Sequence, residues 1–143
     1  MLANMTQEQT NKENREHCKE IALRLEAYAD GRMYRCPKCG EHVEDNILFC
    51  DCGEQVDLIN GEWELLGLYD FFEDCLDIEY RVDSHKELRS VRIMVAFGGP
   101  NIYIDTASGA VELYWWDDRA SCLIDSDAIE AVLEWASELW GCM

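Results

Sequence analysis

Two cysteine pairs, each followed by glycine, constrain this 143-residue chain more than any other feature. The first pair lies in Tyr34-Arg35-Cys36-Pro37-Lys38-Cys39-Gly40 and the second in Phe49-Cys50-Asp51-Cys52-Gly53. In a turn of this kind, backbone amides point at the sulfur atoms while the glycine adopts a positive φ. Two such turns that face each other supply the four thiolates of a tetrahedral zinc site. The spacing therefore predicts a structural Zn²⁺ ion, with four ligands: Cys36, Cys39, Cys50 and Cys52.

A disulfide pair and unligated thiols are the alternatives for these cysteines. The N-terminus lacks the features of a signal peptide, and no apolar segment has the length of a membrane span. We therefore expect a cytoplasmic location, where thiols are kept reduced and disulfides are rare. A further four cysteines have no partner at metal spacing, and we expect the first three to be buried thiols: Cys18, Cys75, Cys122 and Cys142.

Residues 34–58, which contain the two turns, resemble the zinc-ribbon family. The resemblance implies two short strand-like arms around a zinc ion with a purely structural role. The second turn departs from the usual spacing, because one residue rather than two separates Cys50 from Cys52. That departure leaves His42 as a possible substitute ligand. Four protein ligands close the coordination shell, so such a zinc would not activate water.

Hydropathy patterns predict an α+β fold around this segment. Apolar residues at three- and four-residue spacing predict three helices, over 7–30, 62–76 and 127–140. Thr6 and Gln9 are placed to form a capping box at the start of the first helix. Alternating apolar and polar residues predict a four-stranded antiparallel meander, over 78–82, 91–97, 101–106 and 110–116.

These elements predict one compact unit with three parts. Residues 1–33 form the long N-terminal helix, 34–58 the zinc-ribbon insertion and 59–143 the α+β core. The C-terminal helix is expected to cover one face of the meander.

The formal net charge of −18 is concentrated in two blocks of the chain. Residues 41–79 contain 13 acidic residues and residues 120–143 contain five, and neither block has a Lys or Arg. Solvated surfaces usually intersperse both signs, so these blocks favour a role in partner binding, with solubility as the alternative. The charge disfavours direct binding to nucleic acid or to an anionic membrane and indicates a basic protein partner.

Two rows of carboxylates are the candidate partner-binding residues. In the last helix the acids recur every four residues, about 6 Å apart, at Glu130, Glu134 and Glu138. In the predicted second helix four acids share a face and could also gather a magnesium ion: Asp70, Glu73, Asp74 and Asp77. A row of regularly spaced negative charge imitates a nucleic-acid backbone, so it would be steered into a cleft lined with Lys and Arg.

The sequence contains no recognisable nucleophile with a base and no phosphate-binding glycine loop, so we expect a protein that is not an enzyme. In charge and length, the chain resembles the small acidic antirestriction and anti-CRISPR proteins of phages and conjugative elements. The resemblance implies a nuclease inhibitor and DNA mimic that occupies the basic nucleic-acid-binding cleft of a CRISPR effector or restriction enzyme. The alternative is a zinc-ribbon adaptor that binds a protein through the ribbon or through aromatic residues of the sheet, Tyr103, Tyr114 and Trp116.

Overall fold

The computed structural model describes residues 7–143 and has an α+β fold, as the hydropathy patterns predict. A long helix, α1 (Gln7–Ala29), is followed by a small three-stranded sheet. In this sheet β1 (Met33–Arg35) pairs with both β2 (His42–Glu44) and β3 (Glu64–Leu65). A single-turn helix, α2 (Leu68–Phe71), leads into a larger sheet, and α3 (Ser126–Gly141) follows it.

The larger sheet is an antiparallel meander of five strands in chain order. Its strands are β4 (Asp77–Val82), β5 (Leu88–Ala96), β6 (Asn101–Asp105), β7 (Ala110–Trp115) and β8 (Asp118–Leu123). The first four correspond to the predicted meander. The fifth was not predicted, because its inward-facing residues Ala120 and Cys122 are small and give only a weak alternating pattern.

Helices α1 and α3 pack on the same face of this sheet. Cys18, Ala22 and Leu25 of α1 are buried in one cluster with Val132 and Ala136 of α3. The sheet contributes the largest buried side chains of that cluster, namely Val91, Ile93, Ile102, Ile104, Val111 and Leu113. Each fully buried Leu, Ile or Val stabilises the fold by about 1.5–3 kcal/mol, so this interface is the main source of stability.

The helix predicted over 62–76 is wrong in extent. Glu64 and Leu65 instead form β3, opposite Arg35 and Tyr34 of β1, and helical geometry is limited to Leu68–Phe71. Tertiary packing overrides the helical spacing of the apolar residues: Leu66 is buried beside the end of α1 and Phe72 enters the main core.

Because α2 is only one turn long, the four acids that were expected to share a helix face lie apart. Asp70 lies in α2 and accepts a hydrogen bond from the backbone N–H of Gly67 at 2.8 Å. Glu73 and Asp74 follow in a turn, and Asp77 begins β4. The capping box predicted for Thr6 and Gln9 lies outside the described residues, since Thr6 precedes them. Between residues 7 and 143, no helix combines the length and apolar character needed to cross a membrane.

Candidate metal centre

The first cysteine turn lies at the tip of the β1–β2 hairpin. The register pairs Arg35 with His42, so Cys36 to Glu41 form the connection between the strands. The backbone N–H of Cys36 donates to the carbonyl of Glu41 at 2.8 Å, which closes the turn. Gly40 has a φ of +80°, the positive value that the sequence pattern required.

The second cysteine turn follows the hairpin in the chain. The backbone N–H of Gly53 donates to the carbonyl of Cys50 at 2.8 Å, and Gly53 has a φ of +94°. A backbone bridge between Phe49 and Gln55 closes the base of this turn. Both turns therefore have the local geometry expected of metal-binding cysteine turns.

The four sulfur atoms converge to within 4.8 Å of one another. Cys39 Sγ lies 3.4 Å from Cys50 Sγ, and Cys36 Sγ lies 3.7 Å from Cys52 Sγ. A tetrahedral zinc with bonds of about 2.3 Å places its sulfur ligands about 3.8 Å apart. Disulfide bonds are much shorter, at about 2.05 Å, and all eight cysteines are free. The cluster can hold a metal ion, and four thiolates suit zinc.

The protonation of these thiols also favours a cation. Burial raises the pKa of the Cys36 thiol, but backbone N–H groups of Cys39 and Lys38 outweigh burial and lower the pKa to about 7. The pKa of Cys50 is lowered by the backbone N–H of Cys52, yet burial and the three neighbouring thiols raise it to about 12. One thiol of the cluster therefore deprotonates readily. Deprotonation of the other thiols places negative charges close together, which a bound positive ion would stabilise.

His42, the possible substitute ligand, lies outside the sulfur cluster. Its Nδ1 is hydrogen-bonded to the hydroxyl of Tyr28 near the end of α1, and the two rings meet edge to face at 5.7 Å. Burial lowers the pKa of His42, and the nearby guanidinium groups of Arg35 and Arg24 lower it further. This histidine connects residues 33–66, which we call the metal-binding segment, to α1.

The segment around the cysteines has little apolar core of its own. Its buried cluster contains Val43, Trp63 and two of the cysteines, Cys36 and Cys50. Because so few residues are buried, packing stabilises this segment only weakly. A bound metal ion would therefore contribute much of the folding free energy of the segment.

The predicted carboxylates of α3 are all exposed. Glu130, Glu134 and Glu138 lie opposite the buried stripe of the helix, which contains Ala128, Val132, Trp135 and Ala136. In the described part of the chain, no salt bridge pairs these three glutamates with a Lys, Arg or His. They form a row of uncompensated negative charge.

The acidic turn after α2 lies beside α3. Phe72 stacks on Trp135 with ring centroids 4.5 Å apart, and Tyr69 meets the same indole edge to face at 5.9 Å. Glu73 and Asp74 are exposed and directly follow Phe72, so the turn that carries them is anchored to α3 through Trp135. We define the acidic face by five residues: Glu73, Asp74, Glu130, Glu134 and Glu138.

The two remaining predicted acids are placed differently. Asp70 is half-buried and pairs with Arg35 Nη2 at 3.4 Å, so its charge is compensated. Asp77 is exposed at the start of the edge strand β4. Neither belongs to the acidic face.

The three predicted aromatic residues occupy two separate places. Tyr103 and Tyr114 lie half-buried on the outer face of the large sheet, opposite the helices, with ring centroids 5.9 Å apart. Trp116 lies in the β7–β8 turn and is 90% exposed. Sequence reasoning missed Phe97, which is also exposed and follows β5 directly.

Comparison with known proteins identifies no relative: no family model matches the chain, and neither a curated protein nor a solved structure shows significant similarity to it. Function is therefore inferred from the residues themselves.

Proposed function

We propose that this protein is a non-catalytic inhibitor that binds a basic, nucleic-acid-binding protein through the acidic face and competes there with nucleic acid. The target class we propose is a defence nuclease, either a CRISPR effector or a restriction enzyme. The observation that carries the proposal is the row of three exposed, uncompensated glutamates on α3. Glu73 and Asp74, exposed in the turn that packs on α3 through Phe72, add to the negative charge.

The row is unfavourable for the isolated helix, which supports a role in binding. Two glutamates four residues apart repel each other and destabilise a helix by about 0.2–0.5 kcal/mol per pair. α3 contains two such pairs in succession, and its last turn contains no basic residue. Negative charge arranged in this way gains favourable energy only when a basic surface approaches it.

The histidines of the chain support binding rather than acid–base chemistry. His17 and His85 are exposed, and His42 is engaged by Tyr28. Four cysteine ligands on one ion would leave no coordination position for water, which supports a structural rather than a catalytic metal.

A competition assay tests the proposal. The full-length, zinc-loaded protein is titrated into complexes of labelled DNA with purified effectors or restriction enzymes, at low and at high salt. We expect DNA to be displaced, and we expect displacement to weaken as salt screens the exposed charges. Displacement that is unchanged by salt would contradict the proposal.

A matched pair of variants assigns the effect to the acidic face. The test variant carries Glu130→Gln, Glu134→Gln and Glu138→Gln; the control carries Glu13→Gln, Glu16→Gln and Glu20→Gln on exposed positions of α1. Both remove the same charge, but only the first is expected to weaken inhibition, by about tenfold or more. Equal losses in both would show that net charge alone matters.

A protein-interaction adaptor is the second candidate, favoured by apolar side chains on the metal-binding segment. Five large apolar residues there are exposed: Ile47, Leu48, Phe49, Ile59 and Leu65. Exposed apolar residues that cluster on one segment are typical of protein interfaces. The double variant Leu48→Ser with Phe49→Ser separates the two functions, because an adaptor would lose its partner while an acidic inhibitor would keep its activity.

A further inference from the structure

Two neighbouring turns of the large sheet form an aromatic pocket. Alternate turns of an antiparallel meander lie at the same end of the sheet, which places the β5–β6 and β7–β8 turns side by side. Together they line an open cavity of about 310 Å³, and four of its lining residues are aromatic: Phe97, Tyr114, Trp115 and Trp116. The pocket lies in parts of the chain that the proposed inhibitory function does not use.

Ring packing and backbone contacts hold the aromatic residues of the pocket in place. The rings of Trp115 and Trp116 stand nearly perpendicular, at 79°, with centroids 6.1 Å apart. The backbone of Gly99 packs so closely on Trp115 that an added Cβ would lie 2.9 Å from the indole. The N–H of Gly98 donates to Asn101 Oδ1 at 2.8 Å, which fixes the β5–β6 turn.

Trp116 occupies an unusual position for its size. It is the first residue of the two-residue β7–β8 turn, with a φ of +54°, a value that favours glycine, asparagine or aspartate. Although strained, it is 90% exposed and therefore adds little to the core. Phe97 across the pocket is 72% exposed. Strained, exposed aromatic residues at such a place are typical of ligand sites.

The chemistry of the walls selects a cation. The faces of indole and phenyl rings attract positive charge, and none of the residues that line the pocket is Lys or Arg. Asp117 is exposed next to Trp116, and the chain as a whole carries a charge of −18. The same sheet already contains one such contact, because the Arg92 guanidinium lies 3.8 Å from the Tyr103 ring centroid.

The pocket favours a cation that has no N–H groups to satisfy. None of the residues that line the pocket carries a carboxylate to accept hydrogen bonds from an ammonium N–H, and the amide oxygen of Asn101 already accepts one from Gly98. Arg92, which lies 6.0 Å from the Tyr114 ring centroid, is paired with Glu112 at 3.1 Å, so its charge is offset. We propose that the pocket binds a trimethylammonium group.

Titration of the full-length, zinc-loaded protein with choline, followed by NMR of the five indole N–H groups, tests this site. We expect the signals of Trp115 and Trp116 to shift with millimolar affinity, while those of Trp63, Trp135 and Trp140 stay unchanged. The neutral isostere 3,3-dimethylbutan-1-ol has the same shape without the charge, and we expect it to bind about fivefold more weakly or worse.

Two variants locate the binding. Trp116→Ala removes an exposed wall without disturbing the core, and we expect it to abolish the choline shifts. Phe49→Ala removes an exposed aromatic residue from the metal-binding segment and should leave them intact. Equal affinity for choline and the neutral alcohol, or choline binding that survives Trp116→Ala, would overturn the proposal, as would shifts of all five indoles.

A second titration identifies the source of the group. A peptide that contains trimethyllysine is compared with choline under the same conditions. Tighter binding of the peptide supports the site and assigns it to a modified protein, whereas tighter binding of choline supports it and assigns it to a free small molecule. Absence of shifts with both ligands would refute the site and would leave the inhibitory function untouched, because the acidic face lies elsewhere.

Discussion

Arg81 donates two hydrogen bonds to Asp105, from Nη1 to Oδ1 at 3.1 Å and from Nη2 to Oδ2 at 2.9 Å. Arg81 lies on β4 and Asp105 on β6, so the pair spans the intervening strand β5. Arg92 of β5 completes the group, with its Nε 3.7 Å from Asp105 Oδ2. Asp105 is one of two buried polar residues among those that the structure describes, and its partners satisfy both carboxylate oxygens.

Asp105→Asn is expected to destabilise the fold by roughly 2–3 kcal/mol, because it leaves two arginines without their shared carboxylate. Burial raises the pKa of Asp105, but the hydrogen bonds from Arg81 outweigh it and the pKa falls below its usual 3.8. Because the pKa of Asp105 is lower in the folded than in the unfolded protein, its carboxylate stabilises the fold at any pH above the unfolded-state pKa. That stabilisation is lost as the pH falls through the folded-state pKa.

Urea unfolding measured at pH 7 and at about pH 3 tests this prediction. The difference between wild type and Asp105→Asn is expected to be large at pH 7 and to shrink under acid. Glu130→Gln, which changes an exposed acid, serves as the control and should cost little at either pH. A difference that stays constant with pH would mean that the carboxylate charge does not contribute.

The Arg81–Asp105 pair also shows what the sequence could not predict. The alternation of apolar and polar residues in β4 indicates that Arg81 faces away from the core. Which residue pairs with Arg81 depends on the strand order and register, which place β6 on the far side of β5 from β4. The cysteine turns, α1, α3 and four strands were predictable because their signals are local. The helix expected over 62–76 failed because Leu65 pairs with Tyr34 of β1 and Leu66 is buried beside α1.

Cys36→Ser is expected to abolish metal binding, since it removes one of the four converging sulfur ligands. Elemental analysis should find about one zinc per wild-type chain and none in the variant. Cys142→Ser, at an exposed thiol outside the cluster, is the control and should retain the metal.

We expect NMR signals of residues 33–66 to collapse in Cys36→Ser while those of the large sheet persist, because the main core contains none of the ligands. A folded segment without metal would contradict this assignment.

Tyr28→Phe is expected to loosen the metal-binding segment from α1 without affecting the metal. The change removes the hydrogen bond to His42 and should destabilise the protein by about 0.5–1.5 kcal/mol. Hydrogen exchange should accelerate in β1 and β2 and stay unchanged in α3. Tyr69→Phe, at an exposed tyrosine, is the matched control and should show neither effect.

Glu134→Lys is expected to stabilise the fold while weakening inhibition. The substitution replaces two repulsive i,i+4 pairs, with Glu130 and Glu138, by two attractive ones, which should add about 0.8–2 kcal/mol. Thermal unfolding measures the first effect and the DNA competition assay the second. Higher thermal stability together with weaker inhibition would fit a helix whose negative charge serves binding. Unchanged inhibition would exclude Glu134 from the interface.

Trp116→Gly provides the sharpest separation of stability from ligand binding. Left-handed backbone geometry is unfavourable for a tryptophan by about 1–2 kcal/mol, whereas glycine adopts it freely. The variant also loses the edge-to-face contact between Trp116 and Trp115, and this loss offsets part of the gain. We therefore expect the variant to be more stable than wild type by about 0.5–1 kcal/mol. Trp115→Gly should instead destabilise the fold, because Trp115 packs against the main core. Chemical denaturation of both variants, paired with the choline titration, distinguishes the roles. A gain in stability with loss of choline binding would show that Trp116 is retained for the ligand, whereas a loss of more than about 1 kcal/mol would make it a structural residue.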